Sequence, residues 1–115
     1  MRKKNYKGRC EKRSLSKSQE VCRLYDDIQS RYVALLQNCQ EIQEIRCNVP
    51  LDGEPAGEYT SDFVCVKSDG DLMVRECVFR KYLTKPMTVR LLDISREFWL
   101  KRGVADWGLV IDAEK

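Results

Sequence analysis

Two strand-like segments joined by a three-residue loop limit the folds open to this chain more than any other feature. The segments are EYTSDFVCVK at 58–67 and DLMVRECVFRK at 71–81, with SDG between them. A three-residue hairpin loop commonly ends in a left-handed residue, where glycine costs least, and Gly70 stands at that place. The loop therefore predicts a hairpin in which Lys67 pairs with Asp71 and Asp62 lies opposite Glu76.

Glu76 is the residue of this hairpin that most needs an explanation. Side chains alternate along a strand, so its row also holds Leu72, Val74, Val78 and Arg80. A carboxylate in an apolar row is costly to bury unless a partner or a ligand compensates for its charge. A loop one residue shorter or longer would turn Glu76 to the other face. The sequence thus predicts that Asp62 and Glu76 are neighbours on two central strands.

An amphipathic helix over residues 18–38 is expected before the hairpin. Ser16 and Ser18 are candidate N-caps, and Gln19 stands three residues after Ser16, as in a capping box. Apolar residues then recur at steps of three and four: Val21, Leu24, Tyr25, Ile28, Tyr32, Leu35 and Leu36. A strand is predicted next from the alternation of Ile45, Cys47, Val49 and Leu51.

A second helix and a closing strand follow the hairpin. Pro86 suits the first turn of this helix, and Gly103 stands where a glycine ends one. The apolar segment DWGLVID then predicts a short strand. We therefore expect an α/β domain over residues 18–115, in the order α-β-β-β-α-β, with a mixed central sheet flanked by two helices. Its expected core includes Leu24, Ile28, Leu35, Ile94, Phe98 and Trp99.

The composition is that of one small globular domain. Of 115 residues, 43% are hydrophobic and 34% are charged, which excludes a disordered chain. No apolar run approaches the roughly 18 residues of a membrane span. No apolar segment follows the basic N-terminus, as one would in a secretory signal. We therefore expect the protein in the cytoplasm of a bacterial host, without a membrane partner.

Cysteine and histidine usage limits the metal sites and the catalytic mechanisms that are open to this chain. The chain has six cysteines and no histidine. The cysteines show no C-x-x-C spacing, which disfavours a zinc site: Cys10, Cys22, Cys39, Cys47, Cys65 and Cys77. Without a secretory signal, they are expected to be reduced and mostly buried. The lack of histidine excludes Ser-His and Cys-His nucleophilic mechanisms.

Positive charge is concentrated at the N-terminus. Residues 1–17 hold eight Lys or Arg and one Glu, a net charge of +7, whereas the remaining 13 basic and 17 acidic residues give −4. Such a segment suits a polyanion, because neutralising phosphates releases counterions. We therefore predict a basic flexible arm that binds nucleic acid through Arg2, Lys3, Lys4, Lys7, Arg9, Lys12, Arg13 and Lys17. The alternative is a solubilising tail.

The predicted acid pair suggests metal chemistry. Carboxylate oxygens are the ligands that Mg²⁺ and Mn²⁺ prefer, and metal-dependent phosphodiester hydrolysis needs such a pair with a lysine nearby. The usual place for that lysine is two residues after the second acid, where this chain has Val78. In the alternative interpretation, Asp62 and Glu76 are solvated edge residues or partners of Arg75 and Arg80.

Four short motifs resemble the N-terminal nuclease domain of the TnsA transposon endonucleases. They are Ser61-Asp62-Phe63, Glu76-Cys77-Val78, the pair Phe98-Trp99, and Trp107 in the last strand. That family belongs to the restriction-endonuclease-like, PD-(D/E)XK group, and the resemblance covers roughly residues 18–115. It implies a restriction-endonuclease-like core and a metal site made by three acids and a lysine.

This chain departs from the family pattern at two of the four implied positions. The resemblance puts Gln29 where the first helix should carry an acid, and Val78 where the lysine should stand. The resemblance thus implies the remnant of a catalytic site at Gln29, Asp62, Glu76 and Val78. No catalytic residue or cofactor is expected. Under the alternative of an active enzyme, Asp62 and Glu76 bind Mg²⁺ and a relocated cation replaces the lysine. The candidates for that cation are Arg80, Lys81 and Lys85.

Three functions are open on these grounds. The first is a non-catalytic protein that binds nucleic acid or a nucleoprotein complex. The opening MRKKNYKGRCEKR also looks like small accessory proteins of conjugative elements, so one version is an anti-CRISPR protein that competes with guide RNA for a type II CRISPR effector nuclease. The second is an active Mg²⁺-dependent endonuclease. The third is a subunit that binds a transposase or recombinase of a mobile genetic element.

Overall fold

The computed structural model describes residues 10–51 and 59–112 and, for the backbone alone, the short strand at 2–3. Its helices are α1 (Asp27–Gln37) and α2 (Pro86–Lys101), with a single 3-10 turn at Arg80–Tyr82. Its strands are β1 (Arg2–Lys3), β2 (Glu11–Arg13), β3 (Cys22–Leu24), β4 (Ile42–Pro50), β5 (Tyr59–Lys67), β6 (Leu72–Val78) and β7 (Asp106–Ile111). Neither helix in this part of the chain is long and apolar enough to cross a membrane.

A mixed sheet forms the centre of the molecule. Strands β4, β5 and β6 are antiparallel neighbours, and β7 adds to β6 in parallel. The backbone of β1 pairs with the start of β5, whereas β2 and β3 form a separate two-stranded sheet. The expected α/β class, with a mixed sheet and two helices, is confirmed.

The hairpin has the predicted register. Gly70 has a φ of 91°, in the left-handed region that favours glycine. The Lys67 amide donates to the Asp71 carbonyl at 2.8 Å, and Phe63 pairs with Arg75 further along. The register predicted from the loop residues is therefore confirmed.

The two helices cover opposite faces of the sheet. Phe63, Cys65 and Met73 pack with the buried residues of α1, whereas Val64 and Val74 pack with those of α2. The α1 contacts come from Ile28, Val33 and Leu36, and the α2 contacts from Phe98 and Trp99. The end of α2 is as predicted, because Gly103 follows it with a φ of 82°.

The predicted start of the first helix is wrong. Helix α1 begins at Asp27 rather than at residue 18, and its N-cap is Asp26, which accepts from the Gln29 amide, rather than Ser16 or Ser18. Cys22 and Leu24 are buried with an exposed residue between them, which is the alternation of strand β3. Leu24 and Ile28 therefore lie in the core but in different elements. Leu35 was expected in the core and is 67% exposed, whereas Leu36 is buried.

The expectation of six reduced cysteines is wrong for one pair. Cys22 of β3 and Cys47 of β4 form a disulfide, with their Cα atoms 5.8 Å apart. The bond joins the β2–β3 sheet to the central sheet. The other four are thiols, buried at Cys65 and Cys77 and half-buried at Cys10 and Cys39.

Part of the predicted basic arm contacts the domain. Strand β2 pairs with β3, and the Arg13 guanidinium donates to the Ser30 carbonyl at 3.1 Å. The Lys17 ammonium donates to the Cys39 carbonyl at 2.6 Å, and its own carbonyl accepts from the Ile45 amide. The side chains of the more N-terminal cations lie outside the described residues: Arg2, Lys3, Lys4, Lys7 and Arg9.

Candidate functional site

Asp62 and Glu76 lie side by side inside the sheet, at the point where the β5–β6 ladder ends. They are 1% and 0% exposed, so the interpretation as solvated edge residues is wrong. Each carboxylate accepts a hydrogen bond from the backbone of the opposite strand. The Asp62 amide donates to Glu76 Oε1 at 2.8 Å, and the Cys77 amide donates to Asp62 Oδ2 at 2.7 Å. The two side chains thereby take over the pairing that the backbone would otherwise make.

The two carboxylates are bonded to helices on opposite faces of the sheet. Asp62 Oδ1 accepts from the Gln29 side chain of α1 at 3.0 Å. Glu76 Oε2 instead accepts from the Ser95 hydroxyl of α2. Gln29 is also held in place, because its Oε1 accepts from the Tyr25 amide at 2.7 Å. The acids are therefore neighbours, as predicted, but they do not face one common pocket.

The cause is a change of face within β5. Ser61 and Phe63 would share a face in a regular strand. In the structure, Ser61 accepts from Trp99 of α2, while Phe63 packs with the residues of α1. The change occurs at Asp62, and in β4 the level of Asp62 is occupied by Asn48, whose φ of 55° lies in the left-handed region. Nothing in the sequence signalled this irregularity.

Two chains of hydrogen bonds begin at tryptophans and end at the Glu76 carboxylate. Trp99 Nε1 donates to Ser61 Oγ at 2.9 Å, and Ser61 donates to Glu76 Oε2 at 2.8 Å. Trp107 Nε1 donates to Ser95 Oγ at 3.0 Å, and Ser95 donates to the same oxygen. Each serine therefore relays an indole N–H to the carboxylate. Glu76 thus ties the closing strand and α2 to the hairpin.

Sequence reasoning did not find Ser95. The residue is fully buried, and its hydroxyl contacts Glu76 of β6 and Trp107 of β7. The signal in the sequence was its position four residues before Trp99, which places both on one face of a helix. Ser61 was recognised only as part of the Ser-Asp-Phe motif.

Burial dominates the electrostatics of this cluster. Burial raises the pKa of Glu76, the nearby Asp62 charge adds to the rise, and the hydrogen bond from Ser95 opposes it, so that the pKa is about 7. Burial also raises the pKa of Asp62, against the hydrogen bond from the Cys77 amide. The pKa of Tyr59 lies well above its usual value because of burial and both carboxylates. The Tyr59 hydroxyl is close enough to Glu76 to affect its pKa, yet within the described chain it makes no hydrogen bond of normal geometry.

The arrangement does not fit a divalent cation. All four oxygens of the two carboxylates already accept hydrogen bonds, and Gln29 presents N–H rather than oxygen to Asp62. Within residues 10–51 and 59–112, no group of three His, Cys, Asp or Glu could hold a metal ion. A cation bound between the two acids would compete with these hydrogen bonds for the same oxygens.

The implied lysine position, the possible partners of the acids and the candidate replacement cations all have other contacts. Val78 is buried at the end of β6 and pairs with β7. Arg75 makes an ion pair of 2.7 Å with Asp106 rather than with the buried acids. The Arg80 amide donates to Asp112, and the ammonium groups of Lys81 and Lys85 lie over the Tyr82 ring.

No model of a protein family matches the chain. No curated protein matches it either. The resemblance to the TnsA nuclease domain therefore rests on the motif residues of the sequence.

Proposed function

We propose that this chain is a non-catalytic binding protein of a mobile genetic element, built on an inactivated TnsA-like nuclease framework. One observation carries the proposal: every oxygen of the Asp62 and Glu76 carboxylates accepts a hydrogen bond inside the sheet. A nuclease of this group needs those oxygens for a metal ion. Here they hold Gln29, the β5–β6 junction and two Trp–Ser pairs in place. The acid pair is retained as a structural element.

The partner is nucleic acid or a nucleoprotein complex. The support is the net charge of +7 on residues 1–17. Of the described cations in this segment, Lys12 is exposed, whereas Arg13 and Lys17 donate to carbonyls of the domain. Among these described cations, Lys12 is therefore the one best placed to contact phosphate. An anti-CRISPR protein that competes with guide RNA for a type II CRISPR effector is one such function.

A cleavage assay combined with a binding assay tests the proposal. The full chain is incubated with single- and double-stranded DNA and RNA in Mg²⁺ or Mn²⁺, and binding is measured in parallel by fluorescence anisotropy. We expect binding without metal-dependent cleavage. Losing one fixed electrostatic contact costs about 10²–10³ in rate, and this site lacks an acid and a lysine.

Matched variants decide between the alternatives. Cleavage that is lost in Asp62→Ala and retained in Glu97→Ala, an exposed acid of α2, would establish the nuclease alternative instead. If the wild-type chain binds no nucleic acid, a pull-down after nuclease treatment tests the transposase or recombinase alternative. A protein partner retained under those conditions would replace nucleic acid as the ligand.

A further inference from the structure

A second basic segment connects β6 to α2. We call it the Phe79–Lys85 turn, and its sequence is FRKYLTK. It carries three exposed cations and two half-buried aromatic rings: Arg80, Lys81, Lys85, Phe79 and Tyr82. The sequence from residue 77 to residue 92 contains no acidic residue, so the turn carries net positive charge, which the Asp112 carboxylate beside Arg80 offsets in part.

The lysines of this turn lie over its aromatic rings. Lys85 Nζ is 4.6 Å from the centroid of the Tyr82 ring, and Lys81 Nζ is 5.1 Å from the same centroid. Lys81 Nζ is also 5.7 Å from the centroid of Phe79. The two rings meet edge to face, with centroids 6.0 Å apart. The Tyr82 ring is thus contacted by exposed, flexible side chains that a ligand can displace.

The backbone beneath these side chains is well held. The Tyr82 amide donates to the Phe79 carbonyl at 2.9 Å, and the Lys85 amide donates to the Tyr82 carbonyl at 3.0 Å. The Arg80 amide is anchored to the Asp112 carboxylate, just after β7. The cations and rings are therefore presented on an ordered support.

Rings at the surface with cations beside them have the chemistry of a single-strand binding surface. A base stacks on an aromatic face, and the flanking phosphates contact lysine or arginine. In a duplex, the bases stack on one another and offer no free face to a protein ring. We propose that the Phe79–Lys85 turn binds single-stranded nucleic acid, with one base on Tyr82 and phosphates on Lys81 and Lys85. The inference rests on the proposed function and adds to it the binding surface and the form of the ligand.

Fluorescence anisotropy with the full chain tests this surface. The probes are a short labelled oligothymidylate, the matching oligouridylate and a duplex of equal length, each measured over a range of salt concentrations. Tyr82→Leu keeps an apolar side chain but removes the stacking face, and it should weaken single-strand binding by about tenfold without changing the salt dependence. The double variant Lys81→Gln with Lys85→Gln should lower the slope of log K against log salt by about 1.4, since each single-strand phosphate contact contributes about 0.7.

The control double variant removes two positive charges outside the Phe79–Lys85 turn. Arg31→Gln with Lys101→Gln changes two exposed cations of α1 and α2, and it should leave the single-strand affinity within about twofold of the wild type. Equal losses in both double variants, or no loss in Tyr82→Leu, would overturn the inference while leaving nucleic-acid binding intact. A wild-type chain that binds none of the probes would overturn both. Comparing the two oligonucleotides separates a DNA ligand from an RNA ligand.

Discussion

At the scale of single residues, Glu76 joins parts of the chain that are distant in sequence. Its carboxylate accepts from Ser61, from Ser95 and from the Asp62 amide, and all of these donors are uncharged. A buried carboxylate usually needs a cation or a metal. Here several hydrogen bonds meet most of that need, and the remaining cost of burial is expressed in the raised pKa of the group.

That raised pKa predicts the pH dependence of stability. The folded state holds the Glu76 proton up to a pKa of about 7, whereas the unfolded chain releases it near the ordinary value of 4.5. The contribution to the free energy of unfolding is therefore fully present below pH 4.5 and is lost as the pH rises to about 7. Its size is on the order of 3 kcal/mol. Asp62, whose pKa is also raised, acts in the same direction.

Glu76→Gln tests this prediction, because the amide does not titrate. Urea unfolding at a series of pH values should show a decline in wild-type stability across this interval and a flatter curve for the variant. Glu97→Gln, which removes a carboxyl from the exposed side of α2, is the matched control. A variant curve as steep as that of the wild type would show that another group titrates in this interval.

Trp99 combines packing with one hydrogen bond, and two substitutions separate the contributions. The side chain is 7% exposed and donates to Ser61 at 2.9 Å. Trp99→Ala should lower the free energy of unfolding by about 3–5 kcal/mol, as expected for an aromatic residue removed from a core. Trp99→Phe keeps most of the apolar contact and should cost about 1–3 kcal/mol. Equal losses in chemical denaturation would show that the indole N–H, rather than packing, dominates.

At the scale of elements, the N-cap residue determines where α1 begins. The Asp26 side chain accepts from the Gln29 amide, so the helix starts at Asp27, and its core-facing residues are Ile28, Val33 and Leu36. The apolar spacing from Val21 onward is also compatible with a helix. Strand pairing with β2 and the bond from Cys22 to β4 override that local pattern.

Two adjacent leucines in α1 directly test which residues of the helix face the core. Leu36 is 4% exposed and Leu35 is 67% exposed. Leu36→Ala should cost about 2–4 kcal/mol of stability, because it leaves a cavity against the sheet. Leu35→Ala should change stability by less than about 0.5 kcal/mol. Thermal or urea unfolding of the two variants measures both losses, and the reverse order would place Leu35 in the core, as the sequence predicted.

At the scale of the whole molecule, the Cys22–Cys47 disulfide links the small β2–β3 sheet to the central sheet. The bonded cysteines are 25 residues apart, and helix α1 lies between them. Closing a loop of this length stabilises a fold by about 3 kcal/mol in the chain-entropy description. Cys22→Ala with Cys47→Ala should lower the free energy of unfolding by up to that amount.

Thiol titration and urea unfolding check this prediction. The oxidised, unfolded chain should show four reactive thiols. Treatment with a reductant should raise that number to six. Cys10→Ala, which leaves the pair intact, should keep the wild-type stability within about 0.5 kcal/mol. Six reactive thiols in the untreated chain would contradict the bond.

The sequence by itself determined the local features of this protein. The Ser68-Asp69-Gly70 loop specifies the hairpin register, because one glycine in the left-handed region selects the turn and the turn aligns both strands. Pro86 and Gly103 bound α2 for a similarly local reason. Such features depend on residues that are close along the chain, so their chemistry can be recognised without a three-dimensional structure.

Only the tertiary structure decided how the candidate site is used. Asp62 turns to α1 and Glu76 to α2 because β5 changes face at Asp62, level with the left-handed Asn48 of β4. The helical partner of Asp62 is 33 residues away along the chain, and that of Glu76 is 19 residues away. The burial and pKa of the two acids and the formation of the disulfide likewise depend on packing between residues that are distant along the chain. Spacing along the chain could therefore identify the acid pair, but the fold determines that its oxygens are bonded within the sheet.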